Sequence, residues 1–320
     1  MNIKMYFNVI DIRSQFIIKF LWNLIGSVGI AFLLSIIMTI FIKHLRFQSI
    51  LATHIVRNQL IIDVLVLVFA LMTINLTRAS TVCNIAAVDA FVCYIWTSQW
   101  VYWASVVASI INTLLTSIDR LMAVKWPYSY KSRISLKIKL YYLSLMGLTV
   151  IIIGPEMLNN VYINNTCVDR VNVPGDKSTV FFAIYGFYYF ITAYFLPVII
   201  SISSYIIILK MMTRSASIGN QGSSSMKASA RKFTFSTFAM MVVFMVAYGI
   251  ENIAYMLKFL NVIHYDFFSP LQMVGVSVVT LPSIINPLIF IILVKPLTVK
   301  WLGMWCRIKI DLENSVKDVN

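Results

Sequence analysis

Asp63, Asp119, Arg120 and Glu251 are charged residues inside or at the edge of long apolar stretches. Asp119 and Arg120 follow a charge-free run from Phe91 to Ile118, long enough to cross a hydrocarbon core, which takes about 20 apolar helical residues. An adjacent carboxylate can neutralise the guanidinium and hold it inward until something releases it. A lone arginine at a helix end merely reaches for the headgroups. Asp63 lies within Asn58-Gln-Leu-Ile-Ile-Asp63-Val-Leu, where an unpaired central charge costs about 2.5–3.5 kcal/mol, so it must face other helices rather than lipid. Glu251 is the third such acid. The four cysteines form no C-x-x-C or Cys/His pattern, so no metal is expected and at most one structural bridge. His44, His54 and His264 fall in loops or near span ends. No nucleophile, base and oxyanion set is visible, so the chain is not read as an enzyme.

The elements that must position these residues are continuously apolar runs, near 17–42, 58–77, 90–118, 138–158, 178–210, 233–257 and 268–294. They do not alternate as barrel strands would, which predicts seven membrane-spanning helices and an all-α fold. Composition agrees: 60% hydrophobic, 12% charged, mean hydropathy +0.84, outside the balance of a soluble chain. The net charge of +14 is spread between spans rather than gathered on one module, which excludes nucleic acid as partner and leaves the lipid bilayer as counter-charge. The segments 43–57, 119–139, 210–232 and 295–320 hold 19 of the 26 Lys and Arg. The positive-inside rule makes them cytoplasmic and the amino terminus extracellular. Both N-x-[ST] sequons, at Asn75 and Asn164, fall on the other side. Asn164 is the glycosylation candidate, Asn75 being close to the membrane. Met1 to Gln15 mixes charged and apolar residues, so insertion is expected to rely on the first span. Segment Thr213 to Lys232 is Ser- and Gly-rich and reads as a flexible loop. The organisation expected is an extracellular segment 1–16, one membrane domain 17–294 and a cytoplasmic segment 295–320. In that last segment Pro296 opens an amphipathic helix bearing Leu297, Trp301, Met304, Trp305 and Ile308 on one face, with Cys306 open to palmitoylation.

Motifs at the cytoplasmic ends go further. Asp119, Arg120, Ala123, Val124, Pro127 and Tyr130 spell D-R-L-x-A-V-x-x-P-x-x-Y, Pro197 precedes Tyr205 by eight residues, and Asn286-Pro287-Leu-Ile-Phe290 closes the last span. The chain resembles the rhodopsin-like (class A) G-protein-coupled receptors. The resemblance implies a plasma-membrane receptor that couples to a heterotrimeric G protein, with Asp119, Arg120, Tyr205, Asn286, Pro287 and Phe290 as its switch. It matches Asp63, with Ser109 and Ser283, to the family's interior sodium site, although Pro282 stands where an asparagine ligand is common. A sodium ion is the one cofactor it admits. It pairs Cys93 with Cys167, with Cys83 the competing partner, although Cys93 lies 27 residues before Arg120, two more than is usual. It places the ligand pocket at Tyr102, Tyr248, Glu251, Asn252, Tyr255 and Thr280. Four positions depart from the pattern: Ile30 for asparagine, Tyr248 for the toggle tryptophan, Ile250 for the kink proline and Phe290 for tyrosine. The fourth span lacks the usual tryptophan.

Tyr102 stands where amine receptors carry an aspartate, and Thr280 where opsins carry the retinal lysine. An aminergic ligand is thereby disfavoured and retinal excluded. A peptide remains by elimination, its basic terminus suited to Glu251. Two rivals are a receptor-shaped protein that does not signal, favoured by the four departures, and a transporter. The transporter is disfavoured because no internal repeat is apparent and the diagnostic residues sit at the cytoplasmic ends.

Overall fold

A computed structural model describes residues 12–42, 49–75, 85–163, 166–170, 179–217, 224–259, 262–263, 270–293 and 303. Its helices follow from the apolar runs, because a backbone in hydrocarbon must satisfy its own N–H and C=O groups and a helix does so within one segment. Helix α1 covers Ile12–Ile42 and α2 Ile50–Asn75. The third span is α3 (Ala86–Phe91), a π-helical stretch Val92–Thr97 and α4 (Trp100–Lys125), followed by a short α5, Pro127–Lys131. The fourth is α6 (Ile134–Ile153), closed by a 3-10 turn Gly154–Asn159. The fifth joins α7 (Thr179–Tyr189), a π stretch Phe190–Phe195 and α8 (Leu196–Ser217). Helices α9 (Ser224–Phe259) and α10 (Pro270–Leu293) complete the set.

Seven of these units are long and apolar enough to cross a membrane. The seven-span, all-α expectation holds, and the chain is a multi-pass membrane protein. The amphipathic helix expected after Pro296 falls outside the described residues apart from Gly303, as do Asn164, Cys83 and residues 1–11. Two boundaries need correction. Helix α2 begins at Ile50 rather than near 58, and most of the loop expected over Thr213–Lys232 is helical, with α8 reaching Ser217 and α9 starting at Ser224. Spans counted by charge stop at the first Lys or Arg, yet these long side chains reach the headgroups while the backbone continues its hydrogen-bond ladder.

The burial pattern is that of a bundle whose solvent is lipid. Large apolar side chains such as Leu143, Met146, Val246 and Ile292 face outward, while Asp63, Asn112, Asp119, Arg120, Glu251 and Asn286 are buried. Polar groups meet one another inside because hydrocarbon offers them no partner. Helix α4 is the central post, packed against α2, α6, α8 and α9. Gly26 and Gly29 let α1 come close: a Cβ at Gly29 would stand 3.1 Å from Ile284, and one at Gly26 only 2.6 Å from Leu71.

At one end, strands β1 (Asn160–Ile163) and β2 (Thr166–Asp169) pair antiparallel, with Cys167 opposite Tyr162. A disulfide joins Cys167 to Cys93, with Cα atoms 5.5 Å apart. Cys93 sits in the π stretch, and Gln99, just past it, adopts φ 58°. A π turn holds more residues than an α turn, so this stretch accommodates the longer Cys93-to-Arg120 spacing without moving the cysteine from the hairpin.

Candidate functional site

Three polar layers run along α4. In the layer farthest from the disulfide, Asp119 Oδ2 pairs with Arg120 Nη2, both side chains being almost wholly buried. Asp119 has a second partner: the Tyr130 hydroxyl donates to its Oδ1 at 2.6 Å and lies 2.8 Å from Ser49 Oγ at the start of α2. Lys137 Nζ fastens α5 by donating to the carbonyls of Ser129 and Tyr130 at 2.6 and 2.8 Å. Burial, then the neighbouring Asp119 charge, pushes the Tyr130 hydroxyl well above the usual tyrosine range, so it stays a donor. Across the bundle, the Tyr205 hydroxyl is buried with no hydrogen bond among the described residues, beside Ser117 and Thr237 and within the field of Arg120. The restraint on Arg120 is thus in place, and Tyr205 lies within the field of the same arginine.

In the middle layer Asp63 and Ser109 come together through Gln59, a residue that no sequence motif marks, and Ser283 lies beside Asp63. Gln59 Nε2 donates to Asp63 Oδ1 and to Ser109 Oγ, each at 2.8 Å, while its Oε1 accepts from Asn112 Nδ2 at 2.7 Å. Asn112 continues to Tyr141 on α6, whose hydroxyl accepts from Asn58 at 3.0 Å. One network therefore ties α2, α4 and α6. Asp63 Oδ2, Ser283 Oγ and both amide atoms of Asn286 are buried without hydrogen bonds among the described residues. Pro282 and Pro287 both lie inside α10, and a proline leaves an upstream carbonyl without its helical donor. Phe290 packs with Ile36, Ile40 and Met240 in an apolar cluster. Two of the oxygens that the resemblance assigns to a sodium site, Asp63 Oδ1 and Ser109 Oγ, accept from the Gln59 amide.

Nearest the disulfide, Glu251, Asn252 and Tyr255 line a narrow cleft with Trp103, Ile153, Glu156 and Tyr189. Glu156 was not expected. It lies in the 3-10 turn after Pro155, buried like Glu251, and accepts hydrogen bonds from Asn159 Nδ2 and, at 3.0 Å, from the Tyr255 hydroxyl. Tyr102, Tyr248 and Thr280 are close by but outside the cleft wall. Tyr102 directs its hydroxyl to the Val276 carbonyl at 3.5 Å, Tyr248 stacks on Phe244 at 4.1 Å, and Thr280 donates to its own helix. Tyr194 on the fifth span donates to the Met245 carbonyl at 3.2 Å and covers Gly249, so α9 is braced where the resemblance expects a proline kink.

This bundle, with a disulfide from the third span to the hairpin and an Asp–Arg pair at the opposite end, is matched over residues 29–290 by the family model described as 7 transmembrane receptor (rhodopsin family). The chain belongs to that family. No curated protein matches it. In this receptor Asp119 and Arg120 are in direct contact, Asp63 and Ser109 meet through Gln59, and the cleft gathers half of the expected pocket. The signals for Gln59 and Glu156 were a polar residue one turn from Asp63 and an acid next to Pro155.

Proposed function

We propose that this receptor is activated by an extracellular ligand and couples to a heterotrimeric G protein through Arg120. The observation that carries the reading is the restrained arginine: Asp119 holds Arg120 and is itself held by Tyr130, while Tyr205 waits across the bundle with no hydrogen bond among the described residues. Opening of that end frees Arg120 from Asp119, turns it toward Tyr205 and exposes it to the G protein. A disulfide at the other end supports an extracellular amino terminus at the plasma membrane, because such bonds persist in oxidising surroundings. The cleft bears two buried carboxylates against aromatic walls, which favours a cationic group such as the basic terminus of a peptide. In the middle layer the Gln59 amide bridges Asp63 and Ser109, two of the groups that the resemblance assigns to a sodium ion.

The non-signalling alternative is favoured by one observation, the bracing of α9 by Tyr194 in place of a proline kink. Accumulation of a second messenger in cells expressing Asp119→Asn separates the two. A coupling receptor gains agonist-free output, since a bias of about 1.4 kcal/mol changes the active-state ratio tenfold. A non-signalling protein stays silent with every G-protein class.

A further inference from the structure

At the disulfide end, away from the Glu251 cleft, a cavity of about 110 Å³ lies between α1, α2, α4 and α10. Its polar lining is Lys19, Thr73, Gln99 and Gln272, and its apolar lining Ile74, Met273 and Val276. Among the described residues no carboxylate lines it. Gln99 is 3% exposed and holds φ 58°, ψ 21°, a left-handed conformation that a residue with a Cβ keeps only where its surroundings fix it. That backbone turns the side chain inward, where Gln99 Oε1 accepts from Gln272 Nε2 at 3.0 Å. Gln99 Nε2 makes no hydrogen bond among the described residues, and neither the Thr73 hydroxyl nor the Lys19 ammonium has a partner among them.

Three donors, one of them a cation, thus line the same cavity as three apolar side chains. We propose that this cavity binds the carboxylate of an organic acid, with Lys19, Gln99 and Thr73 donating to its oxygens and Ile74, Met273 and Val276 against its hydrocarbon part. A carboxylate is a planar monoanion that accepts up to four hydrogen bonds; a phosphate would draw more cationic or backbone donors than the single lysine here. An engineered apolar cavity of about 150 Å³ takes benzene, so the site holds the carboxylate and a few carbons. A short free acid fits entirely, whereas a fatty acid would leave its tail between helices toward the bilayer. The site goes beyond the receptor reading and does not depend on it.

The test uses the full chain in phosphatidylcholine nanodiscs, with the unfolding midpoint read as butanoate, octanoate or dodecanoate is titrated. Alcohols and primary amines of equal length serve as controls for membrane perturbation. Carboxylates are expected to raise the midpoint and the controls not. Lys19→Gln should raise the half-saturating concentration at least tenfold. Gln99→Asn, which tolerates the left-handed backbone but shortens the reach, should raise it severalfold. A response to butanoate identifies a small free acid, and one confined to dodecanoate identifies an acyl chain from the bilayer. Equal shifts from the alcohols, no shift from any acid, or an undiminished response in both variants would overturn the proposal. The readout involves no G protein, so its failure leaves the signalling question separate.

Discussion

Gln59→Leu tests the middle layer. Gln59 makes three buried hydrogen bonds: to Asp63 at 2.8 Å, to Ser109 at 2.8 Å and from Asn112 at 2.7 Å. Asn112 also donates to the Ile55 carbonyl at 3.2 Å, so leucine chiefly strands Asp63 and Ser109. Stranding a buried polar group costs about 1–3 kcal/mol, which places the loss at about 3 kcal/mol after the apolar gain of leucine. The unfolding midpoint in detergent should fall by several degrees. Removing both partners of a buried bond is far less costly than removing one, so Gln59→Leu with Asp63→Leu should be more stable than the two single losses add up to, by about 1.5–3 kcal/mol of coupling. A Gln59→Leu receptor as stable as the wild type, or losses that simply add, would refute the network.

Tyr130→Phe removes one of the two bonds on Asp119 and should raise agonist-free signalling severalfold in a second-messenger assay, less than Asp119→Asn does. Because the folded state raises the Tyr130 hydroxyl above the usual range, its stabilising contribution is complete below the unfolded value of about 10 and is lost as pH rises past it. The stability difference between wild type and Tyr130→Phe should therefore be constant from neutral pH upward and shrink above about pH 10. Cys167→Ser frees the hairpin from the third span and should sharply reduce surface antibody staining of a tagged receptor. Once a cationic agonist is in hand, Glu251→Gln and Glu156→Gln should each raise its half-effective concentration at least tenfold. Unchanged potency in both would remove the cleft from ligand binding.

The seven spans were legible because lipid demands uninterrupted apolar runs, and the Asp119–Arg120 pair because two charges at the end of such a run are conspicuous. Cys93–Cys167 was legible through resemblance alone, since the π stretch that fits it leaves no mark in composition. Gln59 escaped notice because an uncharged amide in a span costs less than a carboxylate and carries no motif, although its neighbour Asp63 needed a donor. Glu156 was hidden by its place near a span end, where an acid ordinarily meets water; only the turn after Pro155 folds it inward. Tyr102, Tyr248 and Thr280 were assigned to the pocket by position; in the structure the Tyr102 and Thr280 hydroxyls meet backbone carbonyls and the Tyr248 ring stacks on Phe244.

Nucleotide exchange on purified heterotrimeric G proteins, measured with the receptor in nanodiscs at equal folded concentration, addresses Arg120 as the switch most directly. Asp119→Asn should speed exchange about tenfold over wild type without ligand. Asp119→Asn combined with Arg120→Ala should return it to the rate of receptor-free discs. A double variant as active as Asp119→Asn alone would contradict the assignment of Arg120 as the group that engages the G protein.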